Sequence, residues 1–183
     1  MATRKAGPGS PGPAASPAEQ VDLAREAALR SLTACARTRA QLEQSLARKG
    51  FEPPVIAQVL DRLTEVGLVD DAAYARALVR DRAKERGLSR KAIAVELSRK
   101  GIAGTVAREA LEELDPDSER ATALELARAK ARATRGLDYQ VRARRTLAHL
   151  GRKGYGSEVA NWATRAALAA DPQEEGRDGD YFG

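Results

Sequence analysis

The sequence of 183 residues contains one cysteine, Cys35, and one histidine, His149. One cysteine cannot form a disulfide within the chain, and one cysteine with one histidine cannot supply the four ligands of a structural zinc site. Because proteins without disulfides are typical of reducing compartments, we expect a cytoplasmic protein that holds no metal ion.

Aromatic residues are also scarce, at 4% of the chain, and the apolar residues are mostly alanine, leucine and valine. This composition favours helices and excludes a β-sandwich or barrel. Charged residues recur every few positions, so no stretch approaches the ~20 apolar residues that a membrane span requires. No apolar run follows the basic first residues, so a secretory signal is not expected either.

Both ends of the chain differ from the middle. Residues 1–19 are rich in glycine and proline and have no apolar periodicity, which predicts a disordered tail. Residues 171–183 are mainly acidic, and Pro172 is expected to end the last helix before a second disordered tail. The folded region is then about residues 20–170.

Within the folded region, the same short pattern occurs three times, namely Arg-Lys-Gly followed by a bulky apolar residue. The glycines are Gly50, Gly101 and Gly154, at spacings of 51 and 53 residues. Repeats of this length are typical of supersecondary units that stack on one another. Helical apolar spacing around each glycine predicts an all-α protein of three tandem three-helix modules in an elongated, curved array. The predicted modules are residues 20–69, 70–115 and 116–170.

Several polar residues mark the expected helix ends. Thr38 begins a capping box, Ser89 suits an N-cap, and either Asp70 or Asp71 is expected to cap the helix that follows. Gly101 suits the left-handed position just after a helix.

The last module departs from the pattern of the first two. Thr146 stands where they have Leu42 and Ile93, and the final helix is rich in alanine. We therefore expect this module to be loosely packed or adaptable. Trp162 follows Val159 at helical spacing and is expected to lie in its core.

Positive charge is concentrated in certain segments of the chain. The net charge is +5, but residues 126–153 alone carry an excess of about eight positive charges. Self-repulsion of such a segment opposes folding unless an anionic surface offsets it, which indicates a nucleic acid or acidic partner. For Lys49 and Lys100, which end helices, attraction to the helix dipole is the simpler explanation. The candidate binding residues are Arg90, Lys91, Arg99, Lys100, Arg128, Lys130, Arg132, Arg135, Arg142, Arg144, Arg145, Arg152 and Lys153.

No catalytic motif is present. Residues 151–156 (GRKGYG) resemble a phosphate-binding loop only superficially, because a helix rather than a strand precedes them. His149 has no acid or nucleophile near it in the sequence. We expect a protein that is not an enzyme and binds no cofactor.

The middle of the chain resembles a known family. The segments LVDDAAYA (68–75), GLS (87–89) and RKGI (99–102) are similar to those of the bacterial RecX regulatory proteins, and the resemblance covers about residues 22–168. It implies three three-helix modules that lie in the groove of the RecA recombinase filament on DNA. It also implies that binding inhibits strand exchange and ATP hydrolysis. Four motif residues are expected to be structural: Asp70, Asp71, Tyr74 and Gly101.

Two other functions fit the residues. Short helix pairs with glycine turns also occur in helix-turn-helix proteins, so an autonomous DNA-binding protein is the main alternative. A helical scaffold that recognises an acidic protein is the second. The expected partners are the RecA filament and single- or double-stranded DNA, bound by a monomer.

Overall fold

The computed structural model describes residues 16–171. Within this range the chain forms nine α-helices and no strand, in agreement with the all-α prediction. They are α1 (Pro17–Ala34), α2 (Arg39–Arg48), α3 (Pro53–Glu65), α4 (Asp71–Lys84), α5 (Arg90–Arg99), α6 (Gly104–Glu112), α7 (Pro116–Arg132), α8 (Tyr139–Arg152) and α9 (Ser157–Ala169).

The predicted caps are confirmed. At the start of α2 the hydroxyl of Thr38 accepts the N–H of Gln41 at 3.2 Å, and the Gln41 side chain accepts the N–H of Thr38. Ser89 caps α5 by accepting the N–H of Ala92, and Asp70 caps α4 by accepting the N–H of Ala73. Each cap satisfies a backbone donor that has no partner within its own helix.

Two compact units make up the described residues. The first contains residues 16–78 together with Glu96–Ala110, and the second contains Val79–Val95 together with residues 111–171. Helices α4, α5 and α6 therefore each contribute to both units. The three-module division, with boundaries after residues 69 and 115, stays a prediction.

The core of the first unit is formed by α1, α2 and α3. Alanines of α1 face larger aliphatic side chains of α2 and α3, so α1 packs closely while its partners fill the volume. The buried members of this core are Ala24, Ala27, Ala28, Leu42, Leu46, Phe51, Ile56, Val59, Leu60, Leu63 and Val69.

Alanine dominates the core of the second unit. Helix α7 contributes Ala123, Ala127 and Ala131 at a spacing of four, and α9 contributes Ala160, Ala163 and Ala167. Small side chains let the two backbones approach, and α7 meets α9 more extensively than any other helix pair in the described residues. The alanines of α9, from which we predicted a loosely packed module, are thus buried where α9 packs closely on α7.

Within the first unit, the start of α2 packs against the end of α5. The Thr38 hydroxyl donates a hydrogen bond of 2.6 Å to the carbonyl of Lys100. Gly101 has φ +77°, and a Cβ there would lie 2.3 Å from the Cβ of Ala40. Glycine is therefore required at this position for both its conformation and its size. We call this contact the first junction.

The second unit repeats this arrangement between the start of α5 and the end of α8. The N–H of Ser89 donates to the carbonyl of Lys153 at 3.0 Å. A Cβ on Gly154 would lie 2.6 Å from both the Cβ of Ala92 and the hydroxyl of Ser89. We call this contact the second junction.

An acid completes each junction. Asp71, the first residue of α4, accepts the N–H of Arg39 at 2.9 Å, and Glu119, in the first turn of α7, accepts the N–H of Arg90 at 3.1 Å. A carboxylate at a helix start satisfies a free donor and complements the positive end of the helix dipole. The same side-chain chemistry thus recurs at both junctions.

The ends of the described region correct two boundaries. Helix α1 begins at Pro17, so the prediction that the N-terminal tail reaches residue 19 is wrong for its last three residues. Asp171, which was assigned to the acidic tail, is held by two arginine side chains. The remainder of both predicted tails, residues 1–15 and 172–183, lies outside the described residues.

No helix between residues 16 and 171 combines the length and the hydropathy that crossing a membrane requires. In the same range, no group of three or more histidine, cysteine or acidic side chains is arranged to hold a metal ion.

The first junction can be tested with two glycine substitutions. Gly50 also has a positive φ, +88°, but no atom lies within 4 Å of its Cβ position. We expect Gly50→Ala to lower the free energy of unfolding by about 1 kcal/mol, through backbone strain alone. Gly101→Ala should lower it by a further ~1–3 kcal/mol, because the new methyl group collides with Ala40.

Urea unfolding followed by circular dichroism measures both changes. Replacing Ala40 by glycine in the Gly101→Ala background should recover some of the loss. Equal destabilisation by the two alanine substitutions would contradict the close contact at this junction.

Candidate nucleic-acid interface

The thirteen basic residues predicted for binding are divided between the two units. Arg99 and Lys100 belong to the first unit, and the others belong to the second. The amine of Lys100 lies 5.8 Å from the centre of the Tyr74 ring, and its carbonyl accepts the first-junction hydrogen bond. Lys100 is therefore held by the fold, while Arg99 is exposed.

Arg90 and Lys153 are also engaged in internal contacts. The Arg90 side chain donates to the carbonyl of Leu114 at 3.1 Å, and the Lys153 amine donates to the carbonyl of Arg86. Both lie at the second junction, and Lys91 beside them is exposed. Of these three, only Lys91 is left for an external partner.

The position of Arg142 differs from the one predicted for it. Its residue is 2% exposed, and Nη2 donates to the carbonyl of Ala131 at 3.1 Å and to Asp171 at 2.6 Å. The prediction that Arg142 belongs to a contact surface is wrong. Arg142 lies twelve residues before Gly154, as Thr38 lies before Gly50 and Ser89 before Gly101. At this position of the repeat, Thr38 and Ser89 form the two junctions.

Asp171 holds Arg135 as well as Arg142. The Arg135 Nε donates to one carboxylate oxygen at 2.8 Å, and Arg142 binds the other oxygen. The hydrogen bond from Arg135 lowers the pKa of Asp171 most, Arg142 lowers it further, and burial opposes both. The same hydrogen bond raises the pKa of Arg135. One carboxylate thus faces two guanidinium groups, which leaves local positive charge.

Beside this carboxylate, α7 carries a row of arginines. Arg128 and Arg132 are four residues apart on one side of α7, and Arg135 lies in the turn that follows the helix. They line a hollow of about 270 Å³ together with Ala167 and Asp171. Arg128 and Arg132 form no ion pair with any residue in the range 16–171. The hollow therefore presents two uncompensated guanidinium groups.

A second basic face lies on α8. Arg144, Arg145 and Arg152 are exposed, and Lys130 of α7 is half-buried. Burial lowers the pKa of His149, and the nearby charges of Lys153, Lys130 and Arg152 lower it further. The surroundings of His149 therefore favour its neutral form and attract anions.

Trp162 is not in the core. Its residue is 38% exposed, and the guanidinium carbon of Arg120 lies 5.0 Å from the centre of its ring. Trp162 and Arg165 line an open hollow of about 440 Å³ on the outer side of α9. The buried positions Ala160, Ala163 and Ala167 place Trp162 on the opposite side, and this alanine pattern was the signal for its exposure.

The four motif residues expected to be structural are all engaged in internal contacts. Asp70 caps α4, Asp71 caps α2, Tyr74 lies near the amine of Lys100, and Gly101 packs on Ala40. A role in packing accounts for each of them.

Comparison with known proteins gives a consistent result. Residues 24–63 match a model described as "RecX, first three-helix domain", and residues 70–111 match "RecX, second three-helix domain". The chain is 43% identical over 166 residues to the protein named Regulatory protein RecX of Thermobifida fusca. The aligned region covers 91% of this chain and 90% of that protein. It is 41% identical over 167 residues to Regulatory protein RecX of Streptomyces coelicolor, at 91% and 87% coverage.

Solved structures show the same fold. The crystal structure of RecX from Lactobacillus salivarius superposes with a TM-score of 0.73 at 23% identity, over 82% of this chain and 97% of that one. A second crystal structure of a regulatory protein RecX gives a TM-score of 0.72 at 25% identity, over 81% and 74%.

The burial of Arg142 separates it from its exposed neighbours. We expect Arg142→Ala to lower the free energy of unfolding by about 2–5 kcal/mol, because it leaves a cavity and frees Asp171 and the carbonyl of Ala131. Arg144→Ala and Arg145→Ala should each change it by less than about 0.5 kcal/mol. Chemical denaturation of the three variants measures the difference, and similar stability of all three would contradict the buried position.

Asp171 is expected to make the stability depend on pH. Because its pKa is lower in the folded protein than the ordinary value of about 3.9, its contribution is present above that value and is lost as pH falls through the folded pKa. Asp171→Asn should therefore be less stable than the natural chain at pH 7. The gap between them should narrow below about pH 4, as the natural chain loses the ion pairs.

Urea midpoints measured from pH 7 to pH 3 test this. A gap that stays constant over the whole range would show that the carboxylate charge is not what stabilises this end of the second unit.

Proposed function

Since the chain belongs to the RecX family of regulatory proteins, we propose that it regulates the RecA recombinase by binding in the groove of the RecA–DNA filament. The single observation that carries this function is the family match, which spans nine-tenths of the chain at more than 40% identity. The effect expected from the family resemblance is inhibition of strand exchange and ATP hydrolysis, through blocked filament growth or faster disassembly.

The repeated organisation of the chain supports binding to a repeated partner. Similar helix ends recur at both junctions, so the same local structure recurs along the sequence. A filament presents the same subunit surface many times, and several weak contacts on linked modules reinforce one another through effective concentration. Binding of this kind requires no cofactor and no catalytic residue. The protein binds as a monomer, in the cytoplasm.

Exposed arginines of α8 are the contacts that we assign to this function. Arg144 and Arg145 are adjacent, exposed, and without an ion pair in the described stretch of the chain. They can approach acidic protein surfaces or filament DNA without disturbing the core. Arg142, which belongs to the same basic run in the sequence, is excluded by its burial.

Replacing both Arg144 and Arg145 by alanine should weaken binding to RecA filaments on single-stranded DNA about 5- to 30-fold. This corresponds to about 0.5–1 kcal/mol for each exposed charge contact. A matched control is the double alanine variant of Arg25 and Arg30, which already pair with acids of α1 and should bind normally.

Fluorescence anisotropy with labelled filaments measures the affinity, and parallel titrations use naked duplex and naked single strands. Binding only to filaments supports the regulatory function. Tight, sequence-dependent binding to duplex without recombinase would favour the helix-turn-helix alternative. Unchanged filament affinity of the Arg144 and Arg145 variant would reject the assignment of these contacts.

A further inference from the structure

A pair of arginines without acidic partners lies beside the point where the described residues end. Arg128 and Arg132 are exposed on α7 and line the hollow of about 270 Å³ whose other walls include Ala170 and Asp171. We call it the arginine hollow. Neither arginine forms an ion pair with any residue from 16 to 171, including Glu125, which lies one turn before Arg128. Like charges one helical turn apart, a rise of about 6 Å, repel each other and attract an anion.

Asp171 holds the chain at the wall of this hollow. Its carboxylate accepts hydrogen bonds from Arg135 Nε at 2.8 Å and from Arg142 Nη2 at 2.6 Å. Its backbone N–H donates to the carbonyl of Leu168 at 3.3 Å. The carboxylate is thus occupied by two other arginines, and the chain continues from a fixed point beside the exposed pair.

The residues that follow carry the complementary charge. Residues 172–183 (PQEEGRDGDYFG), which we call the acidic segment, contain four carboxylates and one arginine. The first two carboxylates belong to Glu174 and Glu175, three and four residues after Asp171. Three and four extended residues span at most about 11 and 14 Å. Both glutamates are therefore within reach of two guanidinium groups that line the same hollow as Asp171.

We infer that the acidic segment binds the arginine hollow of its own chain, with Glu174 and Glu175 paired to Arg128 and Arg132. Pairs of guanidinium and carboxylate form charge-assisted hydrogen bonds. A tether of a few residues gives the glutamates an effective concentration in the mM range, which favours contacts that are individually weak. The segment thereby occupies a basic surface that any other anion would have to share. This contact involves no recombinase and is independent of the filament function proposed above.

An external anion, such as a phosphate group or an acidic protein surface, is the other occupant that suits two arginines. The attachment point favours the acidic segment, because the chain continues from the wall of the hollow and needs no encounter with a second molecule. An external anion must compete with carboxylates that are held nearby at mM effective concentration. Competition therefore distinguishes the two occupants.

The first test uses the full chain without RecA or DNA and reads the NMR signals of the arginine Nε–Hε groups. Replacing Arg128 and Arg132 by glutamine, one at a time, identifies their signals. Replacing Glu174 and Glu175 together by glutamine should shift both signals, because the carboxylates that contact the guanidinium groups are lost. The difference between this variant and the natural chain should vanish in about 1 M salt, where the screening length is about 3 Å.

The second test titrates inorganic tripolyphosphate into the same proteins and follows the same two signals. The variant of Glu174 and Glu175 should bind it about 3- to 10-fold more tightly than the natural chain, since two weak exposed ion pairs no longer compete. The matched control replaces Asp178 and Asp180 by asparagine. It removes the same charge at a greater tether length and should change the affinity less than about twofold.

Circular dichroism confirms that each variant is folded. Unchanged Arg128 and Arg132 signals in the variant of Glu174 and Glu175 would overturn the contact, and a shift by tripolyphosphate alone would assign the hollow to external anions. Equal effects of the two segment variants would show that overall charge, and not a contact in the hollow, is responsible. Neither test alters Arg144 or Arg145 or contains recombinase, so a negative result here leaves filament binding to be judged by its own titration.

Discussion

The fold depends on one contact that occurs twice, in which the capped start of one helix packs on the glycine turn that ends another. At the first junction the Thr38 hydroxyl binds the carbonyl of Lys100, and at the second the N–H of Ser89 binds the carbonyl of Lys153. Both contacts satisfy backbone groups that helix ends leave free, and both need a glycine because the opposing chain is too close for a Cβ. Two of the three Arg-Lys-Gly turns form this contact, at Gly101 and Gly154, whereas the Cβ position of Gly50 is open.

The same contact explains why basic residues that look equivalent in the sequence have different roles. Lys100 and Lys153 lie in turns that the junctions require, and Arg90 reaches the carbonyl of Leu114 beside the second one. Arg128, Arg132, Arg144 and Arg145 lie on outer faces and keep their charge for a partner. Charge density along the chain therefore overstates the basic surface, and only the three-dimensional positions show which cations are available.

Much of the fold follows from local signals. The caps at Thr38 and Ser89 and the all-α class were predictable because helix ends require particular side chains within a few residues. The burial of Arg142 was not, since its partner Asp171 lies 29 residues further along, in a segment whose composition suggested only a tail. For Trp162 the alanine pattern of α9 held the information, but size and hydrophobicity argued for the core. The boundaries of the two compact units differ from the predicted module boundaries. They depend on long-range contacts, which no local sequence pattern encodes.

The pairing of Arg142 with Asp171 separates the repeat in the sequence from the positions of the helix starts. Arg142 has the repeat position of Thr38 and Ser89, which cap α2 and α5, yet it lies inside α8, which begins at Tyr139. Its side chain meets the carboxylate of Asp171, whereas Asp71 and Glu119 accept backbone N–H groups at the starts of α2 and α5. Relative to its glycine, α8 thus begins four residues earlier than α2 and α5, so equivalent positions of the repeat do not fix equivalent helix ends.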